Sequence, residues 1–225
     1  MITHTKTYEA PPIRRREILR YAGCAEADAA TATLMEDCLT EAADALTYKV
    51  CYRELPVKID GKKCDFGTFS VLSHQLARNL ENCTRVILLA ATVGVGIDRL
   101  IQKYSRIAPS RALMLQAIGA ERIEALCDAF CDDMEKETGV SLRPRFSPGY
   151  GDMPLSQSRE ICEVLDAQRR IGLTVSKSGI MIPRKSVTAV MGVSRVPVMR
   201  RPKGCEGCEH RETCALSRVQ SKGRN

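Results

Sequence analysis

Between Thr84 and Gly94 the chain reads TRVILLAATVG, a continuous apolar run bounded by polar Asn82 and Thr84 on one side and a glycine on the other. A run of this length and makeup fits a strand buried on both faces at the centre of a sheet. Everything else in the chain has to be arranged around it.

Upstream, residues 13–22 read as a short basic helix ended by Gly23. Residues 26–46 read as a longer helix with Leu34, Cys38, Ala42 and Leu46 on one face. YKVCYRELPVKIDGKKCDFG is rich in β-branched and aromatic residues and carries the turn signal IDGKK, which predicts a strand pair over 48–66, followed by a helix over 70–79. GVGID after the apolar run lacks a third glycine and any Lys-Ser/Thr pair, so it reads as a strand-to-helix turn and not a phosphate loop. Ser110 is placed to cap a helix running to Thr138 and closed by Gly139, with Ile123, Leu126, Phe130 and Met134 on its buried stripe. Ser156 is placed to cap another, ending near Arg170 before Gly172, and two strand-like pieces separated by Pro183 follow. The fold class expected is α+β: a twisted, mainly antiparallel sheet flanked by helices, over residues 1–194, with a basic Cys-rich tail over 195–225.

The N-terminal stretch MITHTKTYEAPPIRRR lacks the apolar core of a signal peptide, and no apolar run approaches the roughly 18 residues of a membrane span, so a cytoplasmic protein with no membrane partner is expected. In that compartment the eleven cysteines stay reduced, bind metal or do redox work. Of the formal net charge of +7, most sits in the tail, which holds eight Lys/Arg against three Glu. RRPKG without interleaved aromatics, in a chain with no Trp, makes nucleic acid a poor partner.

RFSPGYGDMPLSQ, residues 145–157, is neither helix nor ordinary strand. Pro148 fixes its own φ and restricts Ser147, while Gly149 permits a sharp turn and close approach to the backbone. Arg145 and Tyr150 are thereby presented from a stiff frame. An arginine beside small residues and exposed amides suits a carboxylate, to which its planar fork gives two parallel hydrogen bonds; a surface ion pair on a structural turn is the other reading.

RFSPGYGDMPLSQSREICEVL followed by IGLTVSKSGIMIPRKSVTAV resembles the activation domain of cobalamin-dependent methionine synthase, in which an Arg-x-(small)-Pro-Gly-Tyr loop precedes a helix and a Leu-Thr…Ser…Met-x-Pro…Ser-Val segment follows. The resemblance implies S-adenosylmethionine bound by Glu124, Arg145, Ser147, Gly149 and Tyr150. It also implies cobalamin presented by a partner, either a corrinoid-binding protein or a methionine synthase lacking its own activation domain. An electron donor such as flavodoxin or ferredoxin completes the set, and the function implied is reductive methylation of inactive cob(II)alamin. The pattern departs where the family has an aromatic pair and this chain has Val190 and Met191.

In the tail, CEGCEHRETC gives Cys205, Cys208 and Cys214 in a Cys-x2-Cys-x5-Cys spacing that can wrap zinc, with His210, or an iron–sulfur cluster. A metal-binding regulatory or interaction module that has kept the fold but not the ligand site is therefore the competing functional reading.

Overall fold

The computed structural model describes residues 2–24 and 26–194. At its centre lies a five-stranded sheet built from β1 (His4–Tyr8), β2 (Tyr48–Pro56), β6 (Arg85–Thr92), β10 (Ser186–Ser194) and β7 (Ser141–Leu142), in that order across the sheet. Each adjacent pair is antiparallel. The apolar run is its middle strand: Ile87, Leu89, Ala91 and Val93 enter one core, Val86, Leu88 and Ala90 the other. Burying each such Val, Leu or Ile side chain is worth about 1.5–3 kcal/mol, so a strand buried on both sides pins the register of its neighbours. That register aligns Val50 with Ala91 and Val187 on one face, and Cys51 with Ala90 and Thr188 on the other.

The first face is covered by α1 (Arg15–Tyr21), α2 (Ala29–Ala43), α4 (Gly96–Tyr104) and the 30-residue α5 (Pro109–Thr138). The second is covered by α3 (His74–Asn79), α6 (Gln157–Leu165), α7 (Ala167–Ile171) and a small sheet of β3 (Lys58–Asp60), β4 (Lys63–Asp65) and β5 (Ser70–Leu72). A hairpin of β8 (Thr174–Val175) and β9 (Met181–Ile182) completes the described chain. Among the described residues no helix is long and apolar enough to cross a membrane.

The α+β class, the central strand, the hairpin at IDGKK and the left-handed Gly139 cap (φ 66°) agree with the sequence reading. Several boundaries differ. Residues 70–72 are a strand, and the helix that follows starts at His74, capped by Ser73, whose hydroxyl accepts from the Leu76 amide at 2.9 Å. α5 begins one residue before Ser110, at Pro109, whose missing amide and fixed φ suit the first helical position. Ser156 makes no side-chain cap, and the helix after it is interrupted at Asp166, which adopts a left-handed φ of 51°. Strand β1 has no counterpart in the sequence reading, although the alternation Thr3, Thr5, Thr7 carries the β-branched signal.

Candidate functional site

The stiff loop owes its position to a slip in the sheet edge. Leu142 pairs with Val193, and Phe146 pairs with Val190, so one extra residue lies on the β7 side between them. In a regular strand two residues four apart share a face, yet Leu142 packs in the first core and Phe146 against the second. The slip inverts the alternation, and Arg145 is carried over to the side of α5. Continuing the Phe146–Val190 pairing by two residues brings Pro148 opposite Thr188. Proline has no amide to offer there, and Gly149 (φ 89°) turns the chain away. The turn closes on itself through Tyr150 N to Ser147 O (3.1 Å) and Gly149 N to Met153 O (2.9 Å), with Met153 buried in the second core. Asp152 then clamps it to α3, accepting from the Ser73 hydroxyl, the His74 amide (2.7 Å) and the Gln75 amide (3.2 Å).

Between this loop, α5 and α1 lies an open groove of about 840 Å³. Glu124, Asp128, Arg145, Ser147 and Tyr150 line it, with Arg14 on the facing wall. Arg145 donates from Nη2 to Glu124 Oε2 (2.7 Å) and from Nη1 to Asp128 Oδ1 (2.9 Å). Asp128 is shared: its Oδ2 accepts from Arg14 Nη1 at 2.8 Å. Burial is the largest influence on Arg145 and opposes its charge; Cys127, Glu124, Cys131 and Asp128 outweigh it and hold the guanidinium pKa above its ordinary value. Burial also pushes the Cys127 thiol far above its usual range, so at neutral pH Cys127 puts no negative charge beside Arg145.

The facing wall is strapped down by a buried ion pair. Glu121 and Arg122 are 0% and 1% exposed, and Arg122 bonds both carboxylate oxygens (2.6 and 2.8 Å) as well as the carbonyls of Pro11 (2.5 Å) and Pro12 (2.8 Å). Glu121 Oε1 also accepts from Arg14 Nε at 3.0 Å. Taking such a pair out of water is costly unless every donor is matched, and here the prolyl carbonyls supply the match. The consequence is positional: residues 11–14 are fixed on α5, and α1 brings Glu17, Arg20 and Tyr21 to the groove.

No family model matches the sequence, and no curated protein matches it. Among solved structures, the crystal structure of the MetH reactivation domain bound to AdoHcy matches over 89% of this chain and 81% of that one, with a TM-score of 0.65 and 12% sequence identity. This chain has the reactivation-domain fold. Within it, four of the five ligand residues implied by the resemblance, Glu124, Arg145, Ser147 and Tyr150, line one groove, and Tyr150 is 72% exposed at its mouth. Gly149 serves the turn rather than the wall.

Glu124 and Arg145, both assigned to the ligand by the resemblance, are paired with each other. Asp128 and Arg14 are site residues that the sequence reading passed over; Asp128 had a signal, four residues after Glu124 and hence on the same helical face. Val190 and Met191, standing where the resembled family has aromatics, are both fully buried in the reactivation-domain core. The proposed metal ligands Cys205, Cys208 and Cys214 lie outside the described residues. Among the described residues no group of three or more His, Cys, Asp or Glu is arranged to hold a metal.

Proposed function

We propose that the chain binds S-adenosylmethionine in this groove and acts as a reactivation module for cob(II)alamin carried on a separate corrinoid protein, such as a methionine synthase without its own activation domain. The observation that carries the reading is the Arg145–Glu124 pair. An α-amino acid holds its carboxylate and ammonium on one carbon, and such a zwitterion complements an arginine and a glutamate already standing 2.7 Å apart. On entry, Arg145 exchanges the Glu124 carboxylate for that of the ligand, and Glu124 takes the ammonium; Asp128 keeps the guanidinium aimed throughout.

Ser147 and Tyr150 belong to the same loop and line the groove, which supports a role for them with the adenosyl part, and the groove volume falls within the range of small-molecule sites. The ligand supplies a methylsulfonium whose methyl passes to cobalt once an outside donor, a flavodoxin or ferredoxin, has delivered one electron. This chain's own residues do the work of binding and orientation, holding the sulfonium end open to the partner.

Isothermal calorimetry with S-adenosylhomocysteine tests the binding step. One site per folded chain is expected. Absence of heat, with and without a corrinoid protein, would remove the reading.

A further inference from the structure

We infer that the segment following β10, residues 195–199 with the sequence RVPVM, docks back onto the central sheet and seats Val196 and Val198 in an apolar depression beside β1, β2 and β6. The depression shares no lining residue with the ligand groove, and the inference does not depend on the proposed function.

The depression encloses about 500 Å³ near the C-terminal end of α5. Buried Ile87 and Met134 line it together with Tyr52 and Ile2, the last 75% exposed. Tyr52 is held between His4 and Phe130, with ring centroids 5.3 and 5.0 Å away, so the aromatic wall is fixed. Glu54 and Arg85, paired at 2.5 Å, supply its polar part.

Position along the chain selects the occupant. Val193 pairs with Arg85, and Arg85 with Pro56, so β10 ends one residue past the partner of a residue that lines the depression. Both neighbours of β10 stop there as well: β6 begins at Arg85, and β7 begins at Ser141, the partner of Ser194. The ladder therefore has nothing to offer residue 195 on either side, and Pro197 has no amide to donate to a strand. Pro197 also biases Val196 to extended backbone, in which Val196 and Val198 point to one side. Strands lie about 4.8 Å apart, which puts β2 roughly 10 Å and β1 roughly 14 Å from β10, while five extended residues span about 17 Å.

Charge agrees with this seating. Glu54 and Glu137 pair with Arg85 and Lys6 and keep side chains 45% and 54% exposed, and Glu137 lies one turn beyond Met134 on α5. The docking segment is flanked by Arg195, Arg200 and Arg201. Because it is tethered, it meets the depression at an effective concentration on the order of millimolar, which a second copy does not match in dilute solution.

Limited trypsin digestion of the full chain without ligand tests the docking, with a synthetic peptide of residues 193–202 as the unprotected reference. Cleavage after Arg195 is expected to be at least about tenfold slower in the protein than in the peptide. Ile2→Asp, and separately Val196→Ser combined with Val198→Ser, should each speed that cut about tenfold with unchanged circular dichroism. Cleavage as fast in the wild-type protein as in the peptide would overturn the assignment. So would protection that survives Ile2→Asp, which places the segment elsewhere, or protection found only where light scattering shows a dimer, which gives the depression to a second copy.

Discussion

Arg145 and Glu124, 21 residues apart in sequence, meet Nη2 to Oε2 at 2.7 Å across the groove, one from the slipped sheet edge and the other from the middle of α5. A ligand that replaces this pair must bring both a carboxylate and an ammonium, or leave one charge unmatched. On the proposed reading the pair selects for free α-amino acids and their conjugates, and the substitutions below test that.

Arg145→Ala should weaken S-adenosylhomocysteine binding at least about tenfold, because a charge-assisted hydrogen bond is worth about 1.5–3 kcal/mol. Glu124→Gln should weaken it in the same direction. Neither substitution should change the affinity for 5′-deoxy-5′-methylthioadenosine, which lacks the amino-acid end. Parallel titrations of the two ligands check this, and equal losses for both would show a general collapse of the groove.

Asp128→Asn should release two arginines at once. With the charge gone from between Arg14 Nη1 and Arg145 Nη1, we expect a stability loss of about 1.5–3 kcal/mol in urea unfolding, together with weaker ligand binding. Glu124→Gln, at a side chain 40% exposed and with one fewer arginine to satisfy, should cost less stability.

How much of this was readable beforehand depends on range. The central strand, the Gly139 cap and the buried stripe of α5 follow from local periodicity and were legible. The boundary at Ser73 was not, because Ser70 and Ser73 can each cap a helix that carries Leu76 and Leu80, and only the pairing of β5 with β4 decides between them. The loop was legible as stiff and as a site for Arg145. The face on which Arg145 emerges was not, because it depends on a one-residue slip between Leu142 and Phe146, set by their partners on β10. Arg14 was unreadable for the same reason: its place in the groove depends on Arg122 holding Pro11 and Pro12 more than a hundred residues away.

Asp152 links loop rigidity to pH. The Ser73 hydroxyl first, then the His74 and Gln75 amides, hold its carboxyl below the ordinary 3.8. A depressed carboxylate contributes stability that is fully present above the ordinary value and is lost as pH falls through the lowered one, so the clamp holds throughout the neutral range and opens only in strong acid. Asp152→Ala should bind ligand more weakly at neutral pH and expose residues 147–155 to limited proteolysis. The wild-type protein should show that sensitivity only below pH 3.8.

For the tail, the Cys-x2-Cys-x5-Cys spacing of Cys205, Cys208 and Cys214 leads us to expect one bound metal centre in protein prepared without air. Metal analysis and visible absorption distinguish zinc from an iron–sulfur cluster. The triple Cys→Ser variant should lose the metal and keep ligand binding.

The reactivation claim is tested most directly by transfer of a labelled methyl group from S-adenosylmethionine to a corrinoid protein of the same source held as cob(II)alamin, with a reduced flavodoxin or ferredoxin supplying the electron. The expected result is methylcobalamin and S-adenosylhomocysteine formed in equal amounts, only when this chain is present, and strongly diminished with Arg145→Ala. Methyl transfer at the same rate without the chain, or undiminished with Arg145→Ala, would contradict it.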